Sequence, residues 1–315
     1  MSAAAVVINH NGGADLGVCL AALARQSVAV QVVLVDNAST DSSRRFLDHP
    51  PPGVVVVRLP ENRGYAGGAN AGLRACPQEA EAVGFFNPDC FPEADFFQVC
   101  LAVLREDPRV GGIAPRLLRP DRAVLDSCGQ VLTPWVLMVR DRGYGDPAAG
   151  AFTEAAHVLA ACGAGMVYRR EALERVRLEG EVFPEEFFAF WEDLDLGWRV
   201  CNAGFSVRYE PRAVALHRRG ATAAPGRGRL MFRRPPEVAA RILLNRWATL
   251  ARNLHPRDAW WRLPALLVWD AAMVLALALR KPQALRFLRE APGRLALALR
   301  QRRLLRRRPL GELVP

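Results

Sequence analysis

The chain has 315 residues and 51% of them are hydrophobic, so it is long enough for one large domain or for a domain with an appendage. Its seven cysteines form no C-x-x-C pair and lie among apolar residues, which argues against a disulfide framework or a zinc site and favours free thiols in a reducing compartment. The net charge of +10 is uneven, because residues 226–315 contain 20 Lys and Arg against 5 Asp and Glu, whereas residues 1–225 contain 22 against 27. A mildly acidic part therefore precedes a basic one.

The first 90 residues alternate short apolar runs with helical segments. The N-terminus has no basic start and only a short apolar run, so we interpret it as a strand and not as a secretory signal. Strands are predicted at residues 4–8, 30–35, 54–59 and 82–86, each buried on both faces, and helices at 15–25, 41–47 and 67–75, the second capped by Ser39 or Thr40. This order predicts an α/β fold with a mainly parallel sheet flanked by helices, in which ligands bind beyond the carboxyl ends of the strands.

Polar residues follow two of these predicted strands. Asp36 and Asn37 follow the second strand, where the Asp36 carboxylate would accept the imide N–H of uracil or thymine and Asn37 could both donate and accept. Asn87-Pro88-Asp89 follows the fourth strand, and the Asp89 carboxylate would bind a divalent cation that neutralises a diphosphate. Each pattern alone is also typical of an Asx turn or a helix cap.

Residues 61–70 form a glycine-rich loop that enters a predicted helix, as expected of a phosphate or nucleotide site. The spacing of Gly64, Gly67 and Gly68 fits neither the dinucleotide fingerprint nor the P-loop. The loop therefore argues against NAD and ATP and favours a nucleotide-sugar.

Beyond residue 90, the pattern predicts a helix at 93–106, a strand at 110–118, a hairpin with a mobile loop over 124–150, and strands at 207–209 and 213–216. The small residues at 162–166 let the backbone approach a neighbour closely or form a tight turn. Residues 188–198 place three carboxylates between aromatics, in the first turn of a helix predicted at 192–203 and ended by Gly204. Such a cluster is either a working site or simply an acidic helix start.

The basic segment is predicted to be helical. A helix at 237–253 would carry Arg241, Arg246 and Arg252 on its surface, and the apolar residues 263–279, interrupted by Asp270, would lie in a membrane interface or re-enter it. With the basic amphipathic residues 284–308, residues 260–308 predict binding to an anionic membrane surface through tryptophans and arginines. A soluble helical cap or a homodimer surface is the alternative. Nucleic acid is not predicted, because the arginines alternate with leucines and not with stacking aromatics.

Six motifs occur in order, at residues 8–12 (INHNG), 35–41 (VDNASTD), 62–68 (NRGYAGG), 87–89 (NPD), 191–196 (WEDLDL) and 214–217 (VALH). Over roughly residues 4–255 the chain thereby closely resembles family 2 glycosyltransferases, particularly their bacterial rhamnosyltransferase-like branch. The resemblance implies a GT-A fold, inversion at the anomeric carbon, and a divalent metal, Mn²⁺ or Mg²⁺. It also implies transfer of rhamnose or a similar hexose from a dTDP or UDP donor to a glycan or lipid-linked acceptor in cell-surface polysaccharide synthesis.

Carried over by position, the resemblance implies a role for each motif residue. Asp193 is the expected general base, and Asp89 and His217 are the expected metal contacts. Support for the base or the acceptor is expected from Trp191, Glu192 and Asp195, and nucleotide binding from Asn9, Asp36, Asn37, Asn62, Gly67 and Asn70. The chain departs from the usual D-x-D metal motif at Asn87, and from the small residues usual after the histidine at Arg218 and Arg219, either of which is expected to contact diphosphate.

The expected organisation is a GT-A domain over residues 1–225, with a nucleotide-sugar half at about 1–120 and an acceptor half at about 121–225, followed by a helical membrane-associating region at 226–315. The protein is expected in the cytoplasm, peripheral on the cytoplasmic face of the inner membrane. Two other classes fit less well. A nucleotidyltransferase needs a basic, glycine-rich first loop that His10-Asn-Gly-Gly13 does not supply, and a non-catalytic scaffold would not need both Asp89 and Asp193.

Overall fold

The computed structural model describes residues 2–219 and 230–314, so the boundary predicted near residue 225 lies outside the described residues. The strands are β1 (Ser2–Asn9), β2 (Val30–Asp36), β3 (Val55–Arg58), β4 (Ala80–Phe86), β5 (Cys90–Pro92), β6 (Val110–Leu118), β7 (Leu125–Ser127), β8 (Gln130–Leu132), β9 (Val139–Asp141), β10 (Ala156–Val158), β11 (Gly165–Arg169) and β12 (Ser206–His217). The helices are α1 (Asp15–Ala24), α2 (Arg45–Asp48), α3 (Gly64–Ala75), α4 (Phe96–Glu106), α5 (Arg170–Arg175), α6 (Glu192–Asn202), α7 (Leu230–Arg233), α8 (Pro236–Asn253), α9 (Pro256–Arg280), α10 (Leu285–Leu288), α11 (Ala291–Arg302) and α12 (Leu310–Leu313).

One large sheet runs through the molecule in the order β10-β12-β6-β11-β4-β1-β2-β3. Its β4-β1-β2-β3 side is parallel, as the alternation of strands and helices predicts, and β11 is antiparallel to both β4 and β6. The strand predicted at 54–59 exists as β3, but the prediction that it is buried on both faces is wrong. It lies at the sheet edge, and Val55 is 43% exposed.

Helices cover both faces of the sheet. Along β1, the side chains of Ala4, Val6 and Ile8 belong to one core with α3 and α6, and those in between belong to another core with α1 and α4. Close approach of α3 depends on Gly72, because a Cβ at that position would lie 2.2 Å from Cγ1 of Val6. All seven cysteines are free and at least half-buried, as predicted.

Several local predictions differ from the structure in detail. The helix predicted at 41–47 is a 3₁₀ turn (Ser42–Arg44) followed by α2, and its cap is Asp41 itself, whose carboxylate accepts the Ser43 N–H. Part of the 124–150 region pairs as predicted, since β8 and β9 form an antiparallel hairpin. The two strands predicted at 207–216 are one strand, β12, with a register shift between Glu210 and Val214.

The C-terminal helices pack onto the sheet domain through α8, which contacts α6 and α11. The prediction that Arg246 and Arg252 lie on the surface is wrong, because they are 1% and 0% exposed and are paired with Asp270 and Asp195. By length and composition α9 could cross a membrane, and only 11% of its most apolar window is buried. Its Leu266 and Leu277 are buried, while the opposite face is apolar and exposed.

Candidate active site

The carboxyl ends of β1 and β2 lie side by side, with Asn9 in register with Asp36. Asp36 is buried and accepts the Ser39 N–H, and Asn9 donates to the hydroxyls of Ser39 and Ser43. The expected nucleotide residues at this edge are therefore together. Asn9 fixes the loop after β2 through these hydrogen bonds, and Asp36 is the last residue of β2, directly before that loop.

The glycine-rich segment has a packing role that the sequence did not predict. Gly64 has a φ of +68°, and a Cβ there would lie 2.2 Å from the Phe188 carbonyl oxygen. Two backbone N–H groups at the start of α3 already have partners: Asn37 Oδ1 accepts from Arg63, and Asn62 Oδ1 accepts from Gly64. Asn37 and Asn62 thus shape this turn, and the N–H groups of Arg63 and Gly64 are not open to a phosphate.

The other two residues of this segment that were expected to bind nucleotide are also engaged within the protein. Asn70 is 1% exposed, and its amide donates to and accepts from the backbone of Phe183 at 2.8 and 3.0 Å. Gly67 is buried against the Arg63 side chain. The assignment of Asn70 and Gly67 to the nucleotide therefore does not match their positions, which link α3 to the loop before α6.

Asp89 and His217 meet where β5 pairs with the end of β12. The His217 Nε2 lies 3.4 Å from Oδ1 of Asp89, and its Nδ1 lies 2.7 Å from a carboxylate oxygen of Asp126, which is fully buried. Burial alone would raise the pKa of Asp126, but the His217 hydrogen bond and Arg219 hold that pKa below its ordinary value. Asp126 is thus an ionised acceptor that fixes the ring and leaves Nε2 facing Asp89.

An oxygen and an imidazole nitrogen at this separation suit two neighbouring ligands of one divalent ion, since metal bonds of about 2.1 Å put adjacent ligands roughly 3 Å apart. Within residues 2–219 and 230–314, no group of three or more His, Cys, Asp or Glu side chains could hold a metal ion. The pair therefore fits a metal that completes its coordination with oxygens of a ligand.

Arg219 and Arg218 point to different surroundings. Arg219 pairs with Asp126 at 2.8 Å and with Asp141 at 2.7 Å, so it balances charge within the site and is not the diphosphate contact that the sequence suggested. Arg218 is exposed and pairs with Asp15. Its predicted contact with diphosphate stays a prediction.

Asp193 lies half-buried in the first turn of α6, and three donors fix its carboxylate. One oxygen accepts the Gln130 amide and the Gly163 N–H, both at 2.8 Å, and the other accepts the Leu194 N–H. Burial raises the pKa of this carboxyl above its ordinary value, and the hydrogen bonds oppose that shift only in part. A carboxylate with a raised pKa and a fixed orientation is suited to accept a proton.

The two flanking acids have different environments. Burial, followed by the charge of Asp193, raises the pKa of Glu192 well above its ordinary value, and Oε2 of Glu192 has no hydrogen-bond partner among the described residues. Asp195 instead faces away from Asp193, is 0% exposed, and bonds to Arg199, Arg252 and Asn253. The expectation that Asp195 holds the acceptor or supports the base does not match this position. It joins α6 to α8.

The loop that leads into α6 is strained. Phe188, Phe190 and Trp191 all have φ between 60° and 73°, a conformation that costs a non-glycine residue about 1–3 kcal/mol. The buried Asn245 of α8 holds this loop, because its amide donates to the carbonyls of Phe187, Ala189 and Phe190 at 2.8–3.1 Å. Trp191 is itself buried and packs in the core, so it supports Asp193 by position and not by an exposed ring.

Two connections join Asp193 to the Asp89–His217 pair. Residues 163 and 164 form the first, since the Gly163 N–H donates to Asp193 and the Ala164 carbonyl accepts the N–H of Asn87. The second begins at Gln130, which pairs in register with Asp141 across the hairpin, and continues through Arg219 and Asp126 to His217. The expected base and the expected metal contacts therefore belong to one site.

The sequence pattern did not identify Asp126, Gln130, Asp141 or Asn245. One signal was available for Asp126, which is a lone carboxylate in an apolar extended run and would be costly to bury without partners. The sequence around Gln130 and Asn245 gives no such indication, because their hydrogen-bond partners are distant in the chain. Asp193 is 63 residues from Gln130, and the loop carbonyls are 55 to 58 residues from Asn245.

Comparison with known proteins identifies similar chains. The profile of Glycosyl transferase family 2 matches residues 4–177. An N-acetylglucosaminyl-diphospho-decaprenol L-rhamnosyltransferase of Mycobacterium tuberculosis is 27% identical in an alignment of 299 positions, and the match covers 86% of this chain and 90% of that protein.

Solved structures have a similar fold at lower identity. The mannosyltransferase PcManGT from Pyrobaculum calidifontis, in complex with GDP-Man and Mn²⁺, is 22% identical with a TM-score of 0.54, covering 95% of this chain and 86% of that one. S. aureus TarS 1–349 in complex with UDP-GlcNAc is 18% identical with a TM-score of 0.57, covering 95% and 82%. Against a longer TarS chain, with 17% identity and a TM-score of 0.57, the match covers 85% of this chain and 43% of that one.

Proposed function

Because this chain belongs to glycosyl transferase family 2, we propose that it transfers a hexose such as rhamnose, with inversion, from a dTDP or UDP donor to a hydroxyl group of a lipid-linked acceptor. The family match confirms the glycosyltransferase activity implied by the resemblance, and the structural neighbours confirm the GT-A fold. One observation carries the finer proposal: a half-buried Asp193 with a raised pKa shares a site with the Asp89–His217 pair. The relative's name supports rhamnose and the lipid-linked acceptor.

In the proposed mechanism, Asp193 accepts the proton of the acceptor hydroxyl while that oxygen attacks the anomeric carbon from the face opposite the nucleoside diphosphate. The new glycosidic bond forms as the bond to the diphosphate oxygen breaks, and the diphosphate leaves with the electron pair. The donors from Gln130 and Gly163 keep the carboxylate aimed during this step. Asp36 would bind the pyrimidine base at the β1–β2 edge.

Asp89 and His217 would hold a divalent ion, Mn²⁺ or Mg²⁺, which supplies positive charge to the leaving diphosphate when bound. Two protein ligands are few, so the site would be completed by donor oxygens, and metal and nucleotide would bind together. The Mn²⁺ in the PcManGT complex with GDP-Man supports this choice of ion.

Asp126 provides a test of this metal assignment. We expect Asp126→Asn to weaken Mn²⁺ binding in the presence of nucleoside diphosphate by about 10–100-fold, because losing the partner of a metal-binding histidine has that effect in other sites. Calorimetric titration of Mn²⁺ measures the affinity directly, without an activity assay. The control is Asp95→Asn, an exposed carboxylate at the start of α4. Unchanged Mn²⁺ affinity in Asp126→Asn would contradict the assignment.

We also propose that the protein works on the cytoplasmic side of a membrane and lies on its surface. Spanning by α9 is disfavoured, because Asp270 near its middle pairs with the buried Arg246 of α8, and this ion pair would have to enter the hydrocarbon too. The exposed apolar face of α9, with Trp260 at 76% exposure and Arg257 beside it, suits a lipid interface. The alternative of a homodimer predicts mass doubling in detergent-free light scattering and no binding to anionic vesicles.

The function is tested first by binding and then by transfer. With Mn²⁺ or Mg²⁺ present, we expect calorimetry to show that dTDP or UDP binds more tightly than GDP. Replacing the metal with EDTA should weaken the binding of dTDP and UDP, and Asp89→Ala should abolish it. The preferred dTDP- or UDP-sugar should then be consumed only when a diphospho-sugar lipid acceptor is added. Binding without any transfer would favour a non-catalytic nucleotide-sugar protein, and absence of binding would contradict the proposed donor site.

A further inference from the structure

The tip of the β8–β9 hairpin and the exposed face of α9 form one apolar surface. Trp135 of the tip is 63% exposed and lies edge-on to Trp261 of α9, with ring centroids 5.5 Å apart. Val268, seven residues after Trp261 and 71% exposed, continues this surface on the same side of α9. Contiguous exposed apolar side chains of this size mark an interaction site and are not ordinary for a soluble surface.

A groove of about 460 Å³ lies between the tip and the helix. Its lining consists only of apolar or aromatic residues, with Val136 on the hairpin side and Pro264, Ala265, Val268, Trp269 and Ala272 on the helix side. The groove is shallow and open along one side, and its lining offers contact to hydrocarbon but no group to balance a charge.

Two arginines, the buried Arg246 and the half-buried Arg262, hold the two walls of the groove together. Arg246 donates to the Val136 carbonyl and pairs with Asp270 of α9, while Arg262 of α9 donates to the Pro134 carbonyl and pairs with Asp258. Each guanidinium thus joins the hairpin tip to the helix, and each is neutralised by a carboxylate. The groove is therefore formed before any ligand arrives.

The same hairpin reaches Asp193. Gln130, at the start of β8, donates to the Asp193 carboxylate, and Pro134 lies four residues further along. At about 3.3 Å per residue, the tip is at most roughly 13 Å from the point where the hairpin contacts the base. A ligand in the groove therefore lies only a few residues' length of extended chain from the Asp193 carboxylate.

We propose that this groove binds the hydrocarbon chain of the lipid-linked acceptor, an inference that rests on the proposed function. Three features identify the occupant. The lining has no charged side chain, the groove opens on the apolar face of α9, and the hairpin that forms one wall contacts Asp193 through Gln130. Exposed Arg257 lies near one end of α9, and exposed Arg280 and Arg286 lie at the other, as expected for a surface that meets anionic headgroups. A chain held there brings its head group from the membrane towards the base.

Two neighbouring alanines give a matched pair of variants. Ala272 lines the groove and Ala271 does not, and both are exposed on α9, so tryptophan at either position leaves the core intact. For an acceptor with a long polyprenyl chain in detergent micelles, we expect Ala272→Trp to raise KM at least tenfold and Ala271→Trp to leave it unchanged. For an acceptor with the same diphospho-sugar and a water-soluble short chain, both variants should match the wild type. Equal loss with both acceptors, or no loss with either, would overturn the groove assignment.

A second experiment does not depend on turnover. A polyprenyl diphospho-sugar with a photoreactive diazirine in its chain should crosslink the wild type at the groove, and mass spectrometry should find the label on peptides containing Val136 or residues 264–272. The Ala272→Trp variant should lose the label but still bind anionic vesicles, which separates the acceptor chain from bulk lipid. If the wild type transfers the sugar but the label is found outside the groove, the groove assignment is overturned and the proposed function is not. Label in the groove without transfer would overturn the proposed function alone.

Discussion

Asp193→Asn is expected to lower kcat by about 10²–10⁴-fold while leaving the affinity for the nucleoside diphosphate unchanged. The amide keeps the shape of the carboxylate but cannot take the acceptor proton. Burial raises the pKa of Asp193, so removing its charge offsets part of the cost of the Leu194 hydrogen bond that the amide NH2 cannot accept, and the variant should unfold close to the wild-type temperature at neutral pH. Steady-state kinetics, calorimetry with the diphosphate and a thermal melt measure the three quantities.

The pH profile gives the same test a second readout. In the wild type, kcat should fall as the pH drops through the pKa of Asp193, at a pH above the ordinary aspartate value of about 3.9. The residual activity of Asp193→Asn should lack this acid limb, whereas the exposed control Asp95→Asn should retain both rate and profile. An Asp193→Asn enzyme within tenfold of the wild type would remove Asp193 from the role of base.

Asp195→Ala is expected to lower the free energy of unfolding by about 3–5 kcal/mol, the usual cost of removing one partner from a buried ion pair. The substitution leaves the guanidinium groups of Arg199 and Arg252 without their shared carboxylate, and both are 0% exposed. Urea unfolding at pH 7 measures the change. The control Glu237→Ala breaks an exposed pair with Arg241 on α8 and should cost about 0.5 kcal/mol or less.

The pH dependence of unfolding checks the same network. Burial alone would raise the pKa of Asp195, but Arg252 and Arg199 hold it below the ordinary value. Its stabilisation should thus be complete above about pH 4 and be lost as the pH falls through the lowered pKa. If Asp195→Ala does not fold, Asp195→Leu combined with Arg252→Met should recover folding, because an apolar replacement of both partners leaves fewer charges unpaired. A cost for Asp195→Ala as small as that for Glu237→Ala would contradict the network.

The sequence predicted the strands well where local pattern alone decides them. The apolar run at 110–118 is β6 to the residue, and the motifs after β2 and β4 lie at strand ends as expected. The position of β3 at the sheet edge was not predictable from its own residues. Its run is as apolar as the others, and only the strand order leaves Val55 exposed.

The roles of the three acids in α6 could not be separated from sequence. Asp193 and Asp195 are two residues apart, which places them on different sides of a helix, but only their partners decide which one is free to react. Asp195 meets Arg252, 57 residues later, and that pairing also explains why arginines on α8 are buried and not on its surface. Long-range pairing of charges is invisible to helical periodicity, so the pattern assigned all three acids to one site and the arginines to solvent.

The hydrogen bonds from Asn245 to the loop before α6 affect the design of chimeras that exchange substrate specificity between related transferases. The family match ends at residue 177, yet the loop at 187–191, Asp193 and Asn245 all follow it. A chimera joined between residues 191 and 245 would take the loop at 187–191 from one parent and Asn245 from the other. The amide of Asn245 would then have to bind loop carbonyls from a different protein. Recombination ahead of Leu178 keeps them as one inherited unit, so crossover points there should yield active hybrids more often than crossovers within α6 or β12.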